Sequence, residues 1–148
     1  MKLFYFIDFW HMKNYGSPIT YDRYINLENG PIPSQILNMV NSAVDDPENA
    51  ILSDTIYITN PIGKMQQINC YNKFTDNEKK YFTQYELKIL DRVCKTFGNK
   101  DTKYVIDASH KEPPWAKTKE LDTIPYTLIF EDGGLEKGEI KLLNKLIS

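Results

Sequence analysis

The sequence predicts an α+β fold, a mainly helical single domain of about five helices packed with a small antiparallel β-hairpin, and three observations carry that prediction. Apolar side chains recur at helical spacing in five separate stretches, residues 51–73 alternate β-branched and aromatic residues instead, and glycines and prolines fall between the two kinds of pattern. At 148 residues with 41% hydrophobic content, the chain suits one core, so residues 1–148 are expected to form a single domain. No linker, internal repeat or low-complexity tract interrupts it.

The first helical stretch, residues 2–14, carries Leu3, Phe6, Ile7 and Trp10 nearly all round, the pattern of a helix buried on most sides. It begins without a capping residue, and Gly16 can take the positive φ that stops it while Pro18 prevents it from resuming. Tyr24, Ile25 and Leu27 read as a short extended piece. Ser34 then caps a helix whose inner face is Ile36, Leu37, Val40 and Val44, ending near Asp46-Pro47.

In the alternating region Ile56 and Ile58 flank Tyr57, and Ile68 and Cys70 flank Asn69, around a turn at Asn60-Pro61-Ile62-Gly63. Helical spacing returns after Thr83, which with Glu86 forms a capping box, and runs through Leu87, Leu90, Val93, an inward-pointing Cys94 and Phe97 to Gly98. The next helix runs from about Thr102 through Ala108 until Pro113-Pro114 closes it, with Trp115 just beyond. Ile124 to Phe130 is expected to be extended, Gly133-Gly134 to break it, and Ile140, Leu142, Leu143, Leu146 and Ile147 to dock a terminal helix on the core.

Charge and cysteine usage narrow the functional classes. A formal charge of -2, from 18 basic and 20 acidic residues, lacks the positive surplus that neutralising phosphates requires, so nucleic acid is not an expected partner. The apolar start ends at Asp8 with no small-residue cleavage site after it, and no run reaches membrane-spanning length. Cys70 and Cys94 fit reduced, structural thiols in a cytoplasmic protein better than a disulfide framework.

Asp8-x-x-His11 and Asp107-x-x-His110, which contain both histidines of the chain, are i, i+3 pairs on expected helices. If the helices met, the four side chains could bind zinc, manganese or iron and generate a hydroxide nucleophile. The competing reading is an imidazole near a helix end that is merely oriented by its aspartate. Ser109, His110 and Glu112 are too close in sequence to converge as a triad, and there is no Walker loop, no Gly-x-Gly-x-x-Gly and no Cys-x-x-Cys. No catalytic residue and no cofactor is assigned.

What remains distinctive is aromatic: ten tyrosines, seven phenylalanines and two tryptophans. Tyr15, Tyr21, Arg23 and Tyr24 lie in a segment braced by Gly16, Pro18, Gly30, Pro31 and Pro33, residue types that dominate hot spots held on a backbone with little freedom to lose. Tyr15, Tyr21, Arg23 and Tyr24, with Gly30, Pro31, Pro33 and Trp115, form the candidate partner-binding set; filling of the core is the competing role for each ring.

The chain resembles the Panacea, or SocA-like, antitoxin domain family, also labelled GepA or phage-associated protein. The resemblance is carried by Lys2-Leu3-Phe4-Tyr5 with Asp8-Phe9, Tyr15-Gly16 with Pro18-Ile19-Thr20, Arg23-Tyr24, and Gly30-Pro31-Ile32-Pro33-Ser34. It continues through Glu86-Leu87 with Leu90 and Val93, Ser109-His110 with Pro114-Trp115, and Ile124-Pro125-Tyr126. Family members usually carry further helical residues before the Lys-Leu block, so the expectation is either an opening helix that is short here or a start codon further upstream. The resemblance implies neutralisation of a co-encoded toxin by direct protein contact, with no catalytic residues to carry over. A metal-dependent hydrolase using the two Asp-x-x-His pairs, and a proteolytic adaptor or phage-associated interaction protein without a toxin, are the alternatives.

Overall fold

A computed structural model of the chain describes residues 1–60, 66–132 and 137–147. Pro61-Ile62-Gly63 of the expected hairpin turn and the Gly133-Gly134 break lie outside these residues. In chain order the elements are α1 (Lys2–Tyr15), β1 (Tyr24–Ile25), β2 (Ile32–Pro33), α2 (Ser34–Asp45), β3 (Ile56–Thr59), β4 (Gln67–Cys70), α3 (Asp76–Lys79), α4 (Gln84–Phe97), α5 (Thr102–His110), α6 (Pro113–Ala116), a 3₁₀ turn (Tyr126–Phe130) and α7 (Lys137–Ile147). This is the mainly helical α+β fold that the sequence predicts, with two small antiparallel two-stranded sheets, β1 with β2 and β3 with β4. The chain divides into two compact units, one of Met1–Ser34 with Phe82–Ser148 and the other of Gln35–Tyr81.

The larger unit is built on α1. Its run Tyr5, Phe6, Phe9 and Met12 is 0 to 1% exposed and packs against α4, α5 and the 3₁₀ turn. Phe6 lies 4.3 Å from Phe97 between ring centroids, Tyr5 lies 4.5 Å from Phe9, and Phe9 lies 4.7 Å from Tyr126. These rings bury large apolar areas, and their tilted and edge-on contacts add to the transfer term. Arg92 caps the aromatic file, its guanidinium 4.5 Å from the Trp10 ring. The helix has no side-chain cap at Met1 and stops at Gly16, whose φ of 81° is left-handed and whose N–H bonds the Met12 carbonyl, as the sequence predicts.

α4 is capped by the expected box: the Glu86 N–H donates to Thr83 Oγ1, and the Thr83 N–H donates to Glu86 Oε2. Its buried stripe is Ile89, Val93 and Phe97, at successive i, i+4 steps. Cys94 lies one residue round from that stripe and is exposed, which corrects the expectation that its sulfur points inward. Cys70 is exposed as well, and both thiols are free.

Pro113-Pro114 does not simply close α5. The prolines open a helical turn of their own at its first positions, where a missing N–H leaves no bond unmade, and Trp115 sits inside that turn. Ile124–Phe130 is not extended either. Ile124 N–H still bonds Tyr24 O at 2.9 Å, but Pro125 has no N–H to continue the ladder, and the chain coils into 3₁₀ bonds from Leu128 to Pro125 and from Glu131 to Leu128. The coil keeps Thr127, Ile129 and Phe130 buried. α7 lies against this turn. Leu142 and Leu146, expected to dock on the core, are 61% and 74% exposed.

The smaller unit holds two helices, α2 and the single-turn α3, and a hairpin. Val40 and Ala43 are buried on α2, and Val44 with Ala43 lines one hollow together with Ile56 and Ile58. β3 and β4 pair in the register Ile56 with Cys70 and Ile58 with Ile68, placing the four on one face as the alternation predicts. The rings of Tyr57 and Tyr71 meet at a tilt, their centroids 4.9 Å apart. A capping box between Thr75 and Glu78 starts α3.

Candidate protein-binding surface

The Tyr15–Pro33 segment is held from below by a buried carboxylate. Asp8 is 0% exposed in the middle of α1. A carboxylate in such a place is costly unless donors surround it. It accepts from Ile19 N–H at 2.8 Å, Thr20 N–H at 2.7 Å, the Thr20 hydroxyl and Tyr24 OH at 2.7 Å, and it shares at 3.5 Å the single proton of Tyr126 OH, whose shorter bond goes to Asp22 O. These bonds tie α1 to the loop after it, to β1 and to the 3₁₀ turn. One turn further on, His11 Nδ1 bonds Ser17 O at 2.6 Å, and since a carbonyl only accepts, the proton sits on Nδ1.

Asp22 is pinned next. It is 3% exposed, its carbonyl accepts from Tyr126 OH at 2.6 Å, and its carboxylate accepts from the Ser34 hydroxyl at 3.4 Å. Tyr21 stands between the two anchored residues Thr20 and Asp22 with φ of 56°, a left-handed conformation rare for a bulky side chain, and its ring is 59% exposed. Backbone strain of this kind persists where the neighbours over-determine it, and it clusters at recognition sites. Arg23 is exposed beside it. At the other end of the loop Tyr15, 41% exposed, lies between the tilted rings of His11 at 5.0 Å and Tyr85 at 4.9 Å, and Tyr85 is itself 46% exposed.

The eight residues expected to meet a partner thus divide. Tyr15, Tyr21 and Arg23 are exposed, whereas Tyr24, Gly30, Pro31 and Pro33 are buried and brace the segment. Gly30 adopts φ of 93°, and a Cβ there would lie 2.8 Å from Ser109 Oγ. Lys2 Nζ donates to Gly30 O at 3.0 Å, in a half-buried position where desolvation lowers its pKa to about 8. Trp115 is half-buried, donates from Nε1 to Leu27 O at 3.0 Å, and carries the His110 ring stacked on it at 3.6 Å. The two sequence blocks at Gly30–Pro33 and Ser109–Trp115 therefore meet in space.

The two Asp-x-x-His pairs do not. Asp8 and His11 hold the loop, Asp107 is exposed and His110 lies on Trp115. Among the described residues no group of three or more His, Cys, Asp or Glu side chains is placed to share an ion. Ser109, His110 and Glu112 diverge as well: Ser109 Oγ donates to Ile106 O, and Glu112 accepts from Trp10 Nε1 at 2.9 Å in a buried setting that raises its pKa. Sequence reasoning missed Tyr85, Tyr126 and the clamp role of Asp8. The one available signal for the last was a lone acid inside an apolar helical run.

Burial, followed by the Asp8 carboxylate, raises the pKa of Tyr24 and Tyr126; burial, followed by Glu112, raises that of Tyr5. Folded-state values above the unfolded one mean that the native state keeps protons which the unfolded chain releases, so stability holds below about pH 10 and falls as pH rises beyond it. Tyrosinate absorbance should accordingly show Tyr5, Tyr24 and Tyr126, of the ten tyrosines, ionising only together with loss of circular dichroism. Smooth titration of all ten with the helical signal intact would contradict the buried hydroxyl cluster.

No curated protein and no solved structure matches the chain. Residues 1–116, which contain α1, the clamped loop, Gly30–Pro33 and Trp115, match the family described as antitoxin SocA-like, Panacea domain. The chain belongs to the SocA-like antitoxin, Panacea domain family.

Proposed function

We propose that the protein is an antitoxin-like binding module that neutralises a co-encoded toxin by direct protein contact, through a surface centred on Tyr15, Tyr21 and Arg23. The observation that carries this reading is Tyr21: a large exposed residue on a left-handed backbone, locked between Thr20, which bonds the buried Asp8, and the buried Asp22, whose carbonyl accepts from Tyr126 OH. A loop fixed before binding loses little entropy on binding, tyrosine supplies contact area at low rotamer cost, and tyrosine and arginine are the residue types that dominate hot spots. Membership of an antitoxin family supports a protein as the ligand.

The mechanism is occlusion. An interface of standard size, roughly 1,600 Å² in total, with two or three such anchors covers the toxin's working surface without any bond being made or broken. No helix among the described residues is long and apolar enough to cross a membrane, and the proposed encounter takes place in the cytoplasm.

Co-expression with the product of the adjacent reading frame tests the reading. Growth should be restored, and the two chains should co-elute at a fixed stoichiometry while the level of the partner stays unchanged. Rescue accompanied by disappearance of the partner would instead indicate delivery to a protease, and absence of any complex would remove the toxin.

A further inference from the structure

A cleft of about 320 Å³ in the larger unit is lined by Asn26, Leu27, Glu28, Trp115, Thr118 and Glu120. We propose that it receives the cationic head of an arginine or lysine side chain contributed by a protein partner.

Three observations give the cleft that chemistry. Asn26 is 4% exposed, and its Nδ2 donates to Thr118 O at 2.6 Å and Trp115 O at 3.3 Å. Because carbonyls only accept, these bonds fix which end of the amide is which and leave Oδ1 as a buried acceptor without a donor. Such an atom calls for an N–H. Second, Glu28 and Glu120 are exposed at the cleft, and among its described lining residues there is no lysine or arginine to neutralise them.

Third, the indole of Trp115 forms an aromatic wall held in place by its bond to Leu27 O and by the stacked His110 ring. An aromatic wall, two carboxylates and one unpaired carbonyl oxygen match a guanidinium, with its five donors and flat faces, or an ammonium. The volume lies at the lower end of ligand pockets, with room for a whole arginine side chain.

The source of the side chain rests on the protein-binding reading above; the chemistry of the cleft does not. Isotope-labelled protein titrated with N-acetyl-arginine N-methylamide, and in parallel with the citrulline compound of the same shape but no charge, reads the site through the Asn26 side-chain amide and the Trp115 indole resonance. Saturable shifts with the arginine probe, roughly tenfold weaker with citrulline, are expected. They should weaken at least roughly fivefold in a Glu28→Gln, Glu120→Gln variant, whose changes lie on exposed side chains.

Equal response to both probes, no response, or a response unchanged in the variant would overturn the assignment. Tighter binding of putrescine than of the blocked arginine would also overturn it, in favour of a free diamine. A toxin complex that forms while the arginine probe fails removes the cleft alone, and a probe that binds while no complex forms removes the toxin alone.

Discussion

Replacing Asp8 by alanine is expected to destabilise the larger unit by about 4 kcal/mol, because it removes the shared acceptor of four donors at once, one of them fully buried. Ile19 N–H, Thr20 N–H, the Thr20 hydroxyl and Tyr24 OH would all lose their acceptor, the tyrosine hydroxyl inside the core and the other three at its half-buried edge. For a domain of this size that loss corresponds to a fall in melting temperature of roughly 12 °C. Asp8→Asn keeps one acceptor oxygen for the two backbone N–H groups and should cost about half as much. Thermal unfolding followed by circular dichroism checks both. A melting temperature of Asp8→Ala equal to that of the parent would mean that the carboxylate does not hold the loop.

Gly30→Ala is the second large effect. At φ of 93° a Cβ strains the backbone, and at 2.8 Å from Ser109 Oγ it also collides with a side chain that is 0% exposed. The two terms together should cost about 3 kcal/mol. Ser109→Ala removes the collision but not the strain, so the double variant should recover roughly half of the loss. Strict additivity of the two single changes, measured by urea unfolding, would show that Gly30 and Ser109 do not touch. The pair joins two blocks that lie far apart in the chain, so the same cycle tests whether the Gly-Pro corner is bolted to α5.

Local rules made much of this fold readable. A glycine after an apolar helix, a threonine three residues before a glutamate, and β-branched residues alternating about a turn each act over a few residues, and Gly16, the Thr83–Glu86 box and the β3–β4 register follow from them. Where the outcome depends on distant partners, local pattern misleads. Tyr126–Phe130 has strand composition, but its strand pairing ends at Pro125, which cannot donate. Cys94 sits beside a stripe whose phase is set by Ile89, a residue that the expected inner face left out.

The candidate surface divides in the same way. That Tyr15 to Pro33 is stiff could be seen from its glycines and prolines, but which of its rings face outward could not. Asp8 forms an apparent pair with His11 at helical spacing, yet the donors that claim it come from residues 11 to 118 positions away. Tyr24 and Tyr21 look equivalent in sequence. One is drawn in by the carboxylate, and the other is left out by a left-handed backbone.

Calorimetric titration of the purified toxin into the parent protein and into a Tyr15→Ala, Tyr21→Ala, Arg23→Ala variant tests the central claim most directly. All three side chains are exposed, so the variant should keep the far-ultraviolet spectrum of the parent and a melting temperature close to its own. Affinity should nevertheless fall by roughly 100-fold or more, the loss expected when two or three hot-spot anchors are truncated. An affinity equal to the parent's, in a variant that remains folded, would contradict recognition through this surface.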